Sequence, residues 1–140
     1  MASIDAALAA QNAVTAAESL GLSSVYIGAL RNDTEAVAAQ LGLPQGAVGV
    51  FGLCIGYADP AKPAGVRPRL PQEVVLHRER YGSADEAALI GSYDRLFETS
   101  RHGGGGSWTA RVRSRLGPPA SLAGRDRLRA ALNRLGFPLT

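Results

Sequence analysis

Residues 23–33 read SSVYIGALRND, and this stretch sets the class of the fold. Ser23 to Leu30 combines β-branched and aromatic residues without a charge, the composition of a short buried strand. The residues that follow, NDTEAVAAQLGLP from Asn32 to Pro44, place strong helix formers behind a capping sequence and stop at Gly42 and Pro44, which predicts a helix of about two turns. The strand therefore turns into a helix at Leu30 to Thr34. A second apolar run, AVGVFGLCIGY from Ala47 to Tyr57, is rich in β-formers and reads as a central strand. Its three glycines mark bulges or the close approach of another backbone or a ligand.

On the N-terminal side, SIDAALAAQNAVTAAESLG runs from Ser3 to Gly21 with Ser3 placed to cap and Gly21 placed to end a helix in the left-handed conformation. A helix whose faces are nearly all Ala, Leu and Val is expected in an interior, touching neighbours on several sides. On the C-terminal side, Pro60, Pro63, Pro68 and Pro71 fix φ and remove amide donors, so Ala58 to Pro71 should run extended over the surface. EVVLHRERY, from Glu73 to Tyr81, fits a strand edge or an irregular segment. SADEAALIGSYDRLFETS, from Ser83 to Ser100, is a helix with Ser83 and Glu86 as a capping box. After the glycines at 103–106, SWTARVRSRL and SLAGRDRLRAALNRLGF are two basic amphipathic helices separated by GPP. The leucines at 122, 128, 132 and 135 form a stripe that needs a partner surface.

The inventory is α+β with few strands and a helical tail. No repeat or composition boundary divides residues 1–140, so a single domain is expected. Two or three strands make a meagre sheet, which normally needs further strands or a second subunit. With 46% hydrophobic and 19% charged residues the chain is not of a disordered type. No apolar run reaches the roughly 18 residues of a membrane span, and no signal peptide is visible, so a soluble cytoplasmic protein without a membrane partner is expected. Residues 101–140 carry eight arginines against one acid. Without aromatic interleaving or zinc-finger spacing, nucleic acid is not the expected partner of that tail.

Site chemistry is sparse. Cys54 lies in an apolar run and is expected buried as a small hydrophobe. With His77 and His102 the only histidines and no G-x-S-x-G elbow, no protein nucleophile or other catalytic side chain is assigned, and no metal is expected. No G-x-G-x-x-G and no phosphate loop with its lysine occur. Two stretches remain. In GVRPRLPQ, Arg67 and Arg69 would project to one side of an extended backbone roughly 7 Å apart, a separation suited to several oxygens of one phosphate; the alternative is that both stay solvated. In YIGALRN, Gly28 and Ala29 would let backbone amides approach a flat ligand, or would pack tightly against a neighbouring helix.

In order along the chain, DAALAAQNAVTAAESLGLSSVYIGALRND, LGLP, FGLCIGYADP, VRPRLP, VVLHRERY and the tail with Trp108 resemble the nitroreductase superfamily, in its branch of oxygen-insensitive NADPH nitroreductases and flavin reductases. The resemblance implies a nitroreductase-like α+β fold, here corresponding to the C-terminal portion of the family chain. It implies FMN as cofactor, with its phosphate on Arg67 and Arg69 and its ring along Tyr26, Ile27, Gly28, Ala29 and Leu30; Ala29 stands where relatives commonly have glycine. It implies NADPH, or NADH, as reductant, with Arg101 matching a mobile arginine that meets the nucleotide phosphate in relatives. The implied reaction is ping-pong hydride transfer to a small-molecule acceptor such as a nitroaromatic, a quinone or a flavin. The family chain is longer, so the resemblance also implies a partner: a homodimer, or a heterodimer with a chain supplying the N-terminal half as in a split enzyme. The rival is a catalytically silent interaction subunit or family remnant that no longer binds flavin.

Overall fold

The computed structural model describes residues 1–82, 85–100, 104–118 and 122–139. Two compact units are present, one formed by Met1–Pro63 with Pro118–Thr140 and the other by Ala64–Gly117.

In the first unit, helix α1 spans Ala2–Ser19. Its first turn is closed by the Met1 carbonyl, which accepts from the amides of Ile4 (2.8 Å) and Asp5 (3.2 Å). Ser3 therefore lies inside the helix and does not cap it. The C-terminus is as expected: Gly21 has φ +76°, and the amides of Gly21 and Leu22 donate back to Glu18 and Ala17, both at 3.0 Å, in a Schellman motif. The expectation of an interior helix is overturned. Only Val14 and Ala17 of α1 are buried, while Ile4 and Leu8 remain 59% and 64% exposed, because the main packing partner of α1 among the described elements is the first strand.

Strands β1 (Ser23–Ile27) and β2 (Gly52–Gly56) pair antiparallel with Val25 opposite Cys54. They form a two-stranded sheet, so β2 is an edge strand and not a central one, and Cys54 is exposed instead of buried. The close approach foreseen at the glycines of this run is to a side chain: a Cβ on Gly52 would meet Leu30 Cδ1 at 3.3 Å. After β1 the chain makes a 3-10 turn over Ala29–Asn32 and enters α2, Thr34–Leu41, capped by Asp33 Oδ1 accepting from the Ala36 amide at 3.0 Å.

The leucine stripe has its partner within this unit. Helix α6 (Leu128–Arg134), preceded by a 3-10 turn at Arg125–Arg127, packs against α2 with Ala131 buried and Leu122, Leu128, Leu132 and Leu135 half-buried. The entry to that turn is fixed by Gly124 at φ +90°, where a Cβ would collide with the Asn32 carbonyl oxygen. Arg134 grips Glu35 in a fork, Nε to Oε1 at 2.7 Å and Nη2 to Oε2 at 2.6 Å. Both side chains are exposed, so the fork aligns the helices more than it stabilises them.

The second unit opens with a stretch without regular secondary structure through Pro71, then the single turn α3, Gln72–Val75, in place of the start of a strand edge or an irregular segment. Helix α4, Glu86–Thr99, begins under Asp85, whose Oδ1 accepts from the Ala88 amide at 3.0 Å; Asp85, not Ser83, holds the cap position, and Ser83 lies outside the described residues. Helix α5, Trp108–Arg115, is capped by Ser107. Tyr93 and Phe97, one turn apart on α4, are the buried side chains on which α5 packs.

Candidate functional site

The second unit contains an open cavity of about 670 Å³. One wall is the proline-rich loop, with Arg67 and Arg69 exposed on either side of Pro68. Pro68 pins that loop: its carbonyl accepts the Tyr93 hydroxyl at 3.2 Å, so the residue between the two arginines is tied to α4. The floor is aromatic. Tyr93 meets Trp108 edge to face at 5.6 Å and Phe97 at 5.9 Å. The opposite wall is α5, where Trp108, Arg111, Val112 and Arg115 recur at helical spacing and all line the cavity. The Arg111 guanidinium lies over the Phe97 ring, 5.2 Å from its centre.

No carboxylate lines this cavity among the described residues. Asp94 on α4 is engaged elsewhere, accepting from the Thr109 amide at 3.0 Å and from the Thr109 hydroxyl at 2.5 Å, and so docks the first turn of α5 onto α4. The Thr109 hydroxyl first, then its amide, hold the Asp94 carboxyl below the ordinary aspartate range. A depressed folded value means that this contribution to stability is fully present above the unfolded pKa of about 3.9 and is lost as pH falls through the folded value. Acid titration followed by the emission of Trp108, the only tryptophan, should therefore show the α4–α5 junction loosening below about pH 4. Asp94→Asn should weaken the junction at neutral pH and remove that acid step; an acid step of the same size in the variant would exclude Asp94 as its source.

The stretch Tyr26–Leu30 belongs to the first unit. Tyr26 and Ile27 are ladder residues facing Leu53 and Gly52, and the Tyr26 ring meets Phe51 edge to face at 5.3 Å. Tyr26 and Ala29 are exposed, with Ile27, Gly28 and Leu30 half-buried. The space beside Gly28 is taken by Arg31, whose Nη2 would lie 2.8 Å from a Cβ there and whose Nη1 donates to the Val50 carbonyl at 2.6 Å. The Gly28 carbonyl accepts from Arg125 Nη2 at 3.3 Å, and Arg125 Nε donates to Asn32 Oδ1 at 2.9 Å. A small residue at 28 thus has a local packing role. Arg101 lies outside the described residues.

The sequence did not point to Tyr93, Asp94, Arg111 or Arg115. The signal was there in part, as the i, i+4 pair Tyr93 and Phe97 and the recurrence of positions 108, 111, 112 and 115. Among the described residues no group of acids, histidines or cysteine could hold a metal ion, and no helix is long and apolar enough to cross a membrane.

Comparison with known proteins decides the family. A profile described as the nitroreductase family, C-terminal domain, matches residues 67–140, and a second, described as the nitroreductase family, matches residues 1–57. The chain belongs to the nitroreductase family. It is similar to an oxygen-insensitive NADPH nitroreductase of Salmonella typhimurium, 48% identical over 91 residues that cover 65% of this chain and 37% of the relative. It is also similar to an FMN reductase (NADPH) of Bacillus subtilis, 43% identical over 94 residues that cover 66% and 37%. The solved NADPH:FMN oxidoreductase of Vibrio harveyi, complexed with NAD+, superposes with a TM-score of 0.78 at 37% identity, covering 96% of this chain and 54% of that one. The fold is therefore the α+β nitroreductase fold, of which this chain spans about half the length found in its solved relatives.

Proposed function

We propose that this chain carries the C-terminal share of an FMN-dependent NAD(P)H oxidoreductase of the nitroreductase or flavin reductase type. The observation that supports it is the arginine pair. Arg67 and Arg69 stand on a loop stiffened by Pro68 and Pro71, line an open cavity, and make no ion pair among the described residues, leaving both guanidiniums available to one phosphate. That chemistry fits the phosphate end of FMN. When bound, the flavin supplies the two-electron chemistry between nicotinamide and acceptor. Arg67 and Arg69 then anchor the phosphate, and Tyr93 holds the anchor in place through Pro68. No side chain of the chain is required as acid, base or nucleophile.

The exposed apolar residues of the first unit, Ile4, Leu8 and Leu20 on and beside α1 with Val25 and Ile55 on the sheet, favour a second polypeptide surface as partner, either another copy or a chain supplying the remaining family elements. The test is direct. The chain, purified with excess FMN and freed of unbound flavin, should retain a flavin absorbance band and oxidise NADPH, alone or with that partner. A colourless protein in both states would favour the silent interaction subunit. Tyr93→Phe removes one hydrogen bond of about 1 kcal/mol; it should weaken FMN binding about threefold to tenfold while leaving the far-ultraviolet dichroism unchanged. Unaltered affinity would show that the Pro68 tether does not set the arginine geometry.

A further inference from the structure

Thr34 is the buried polar residue of the described chain, 3% exposed, and its hydroxyl has no hydrogen-bond partner among the described residues. The other described threonines are all engaged: Thr15 donates to the Gln11 carbonyl at 3.1 Å, Thr99 to the Leu96 carbonyl at 3.1 Å, and Thr109 to Asp94. Thr15 and Thr99 bond back into the preceding turn of their own helices. Thr34 is the first residue of α2 and has no such turn behind it. Native folds resolve a buried hydroxyl of this kind with a bound water or ion.

Thr34 lies against a cavity of about 40 Å³ within the first unit, between the start of α2 and the Gly124 turn that leads into α6. One water occupies roughly 30 Å³ in the liquid, so the space suits a single atom-sized guest and not a phosphate. Charge selects the guest. Arg31, Arg127 and Arg134 line the cavity together with Asp33 and Glu35. Both acids are committed, Asp33 Oδ1 to the Ala36 amide and Glu35 to the Arg134 fork. Three cations against two acids leave one positive charge in excess, and the positive end of the α2 dipole adds to it. We infer that this cavity binds one monatomic anion, a halide such as chloride, to which the Thr34 hydroxyl donates. The site is independent of the flavin reading, since none of its residues lines the cavity of the second unit. Bound there, the ion joins α2 to the segment whose Arg125 holds the Gly28 carbonyl and Asn32.

Chloride magnetic resonance on the full chain tests this, because a bound halide broadens the signal of the free ion with which it exchanges. The unmodified chain should give a saturable broadening. Thr34→Val keeps the side-chain shape and removes the donor; it should weaken chloride binding at least about tenfold, the worth of one hydrogen bond to a charged group. Thr34→Ser keeps the hydroxyl and should bind chloride within about threefold of the unmodified chain. Chloride held weakly at exposed arginines persists in both variants, so only the part that depends on Thr34 counts. The absence of saturable broadening in the unmodified chain would overturn the inference without recourse to any variant. Broadening of the same size in Thr34→Val would overturn it too, and would assign the Thr34 hydroxyl to a water and the chloride to another place.

Discussion

Arg67→Ala combined with Arg69→Ala is expected to weaken FMN binding by at least about 100-fold, since each arginine contributes charge-assisted hydrogen bonds of about 1.5–3 kcal/mol to a phosphate. Both side chains are exposed and line the cavity, and their removal takes away no buried packing, so the loss should appear in flavin affinity with thermal stability nearly unchanged. Arg78→Ala is the control. Arg78 is also exposed in the second unit and does not line the cavity, so an effect there as large as in the double variant would reduce the result to general loss of positive charge. The comparison should be made at fixed salt, because exposed guanidinium–phosphate attraction is screened over about 10 Å at 0.1 M.

Phe97→Ala should be the most damaging single change to the fold of the second unit, costing about 3 kcal/mol or more. Phe97 and Tyr93 are the buried side chains that α4 offers to α5, and Arg111 rests on the Phe97 ring. None of the described side chains is completely removed from solvent, so there is little surrounding core to redistribute the loss. In a unit this small the midpoint of thermal unfolding, followed by Trp108 emission, should fall by at least about 10 °C. Trp108 reports this unit because its ring contacts Tyr93 directly. An unshifted Trp108 transition would mean that α5 is held by something other than the aromatic floor. The cavity would close or distort in step with that loss, so anion binding should fail in this variant together with stability, in contrast to the arginine double variant.

The elements whose ends are set by neighbouring residues were legible along the chain. Gly21 ends α1, Asp33 starts α2, and Gly42 stops it, because capping and left-handed glycine are decided within a few residues. Pro68 and Pro71 keep the arginine loop out of helix and strand for the same local reason. Burial was read less well. Alanine and leucine in α1, and the apolar neighbours of Cys54, predict interior positions, yet which face is covered depends on what lies across from it, and here α1 packs mainly against β1 while β2 is an edge.

By itself, then, the sequence determined the α+β class, the glycine-set helix ends and the presence of an arginine pair on a proline-rich loop, all consequences of interactions within a turn or two of chain. Only the tertiary structure decided that Tyr93 from α4 fastens that loop, that Asp94 is spent on Thr109, and that Arg111 and Arg115 of α5 face the same cavity as Arg67 and Arg69. The reason is physical: these groups lie 15 to 48 positions apart in the chain, and no local preference specifies which helix faces meet. Their meeting is fixed by the packing of Tyr93 and Phe97 under α5, which brings arginines of the loop and of α5 to one cavity.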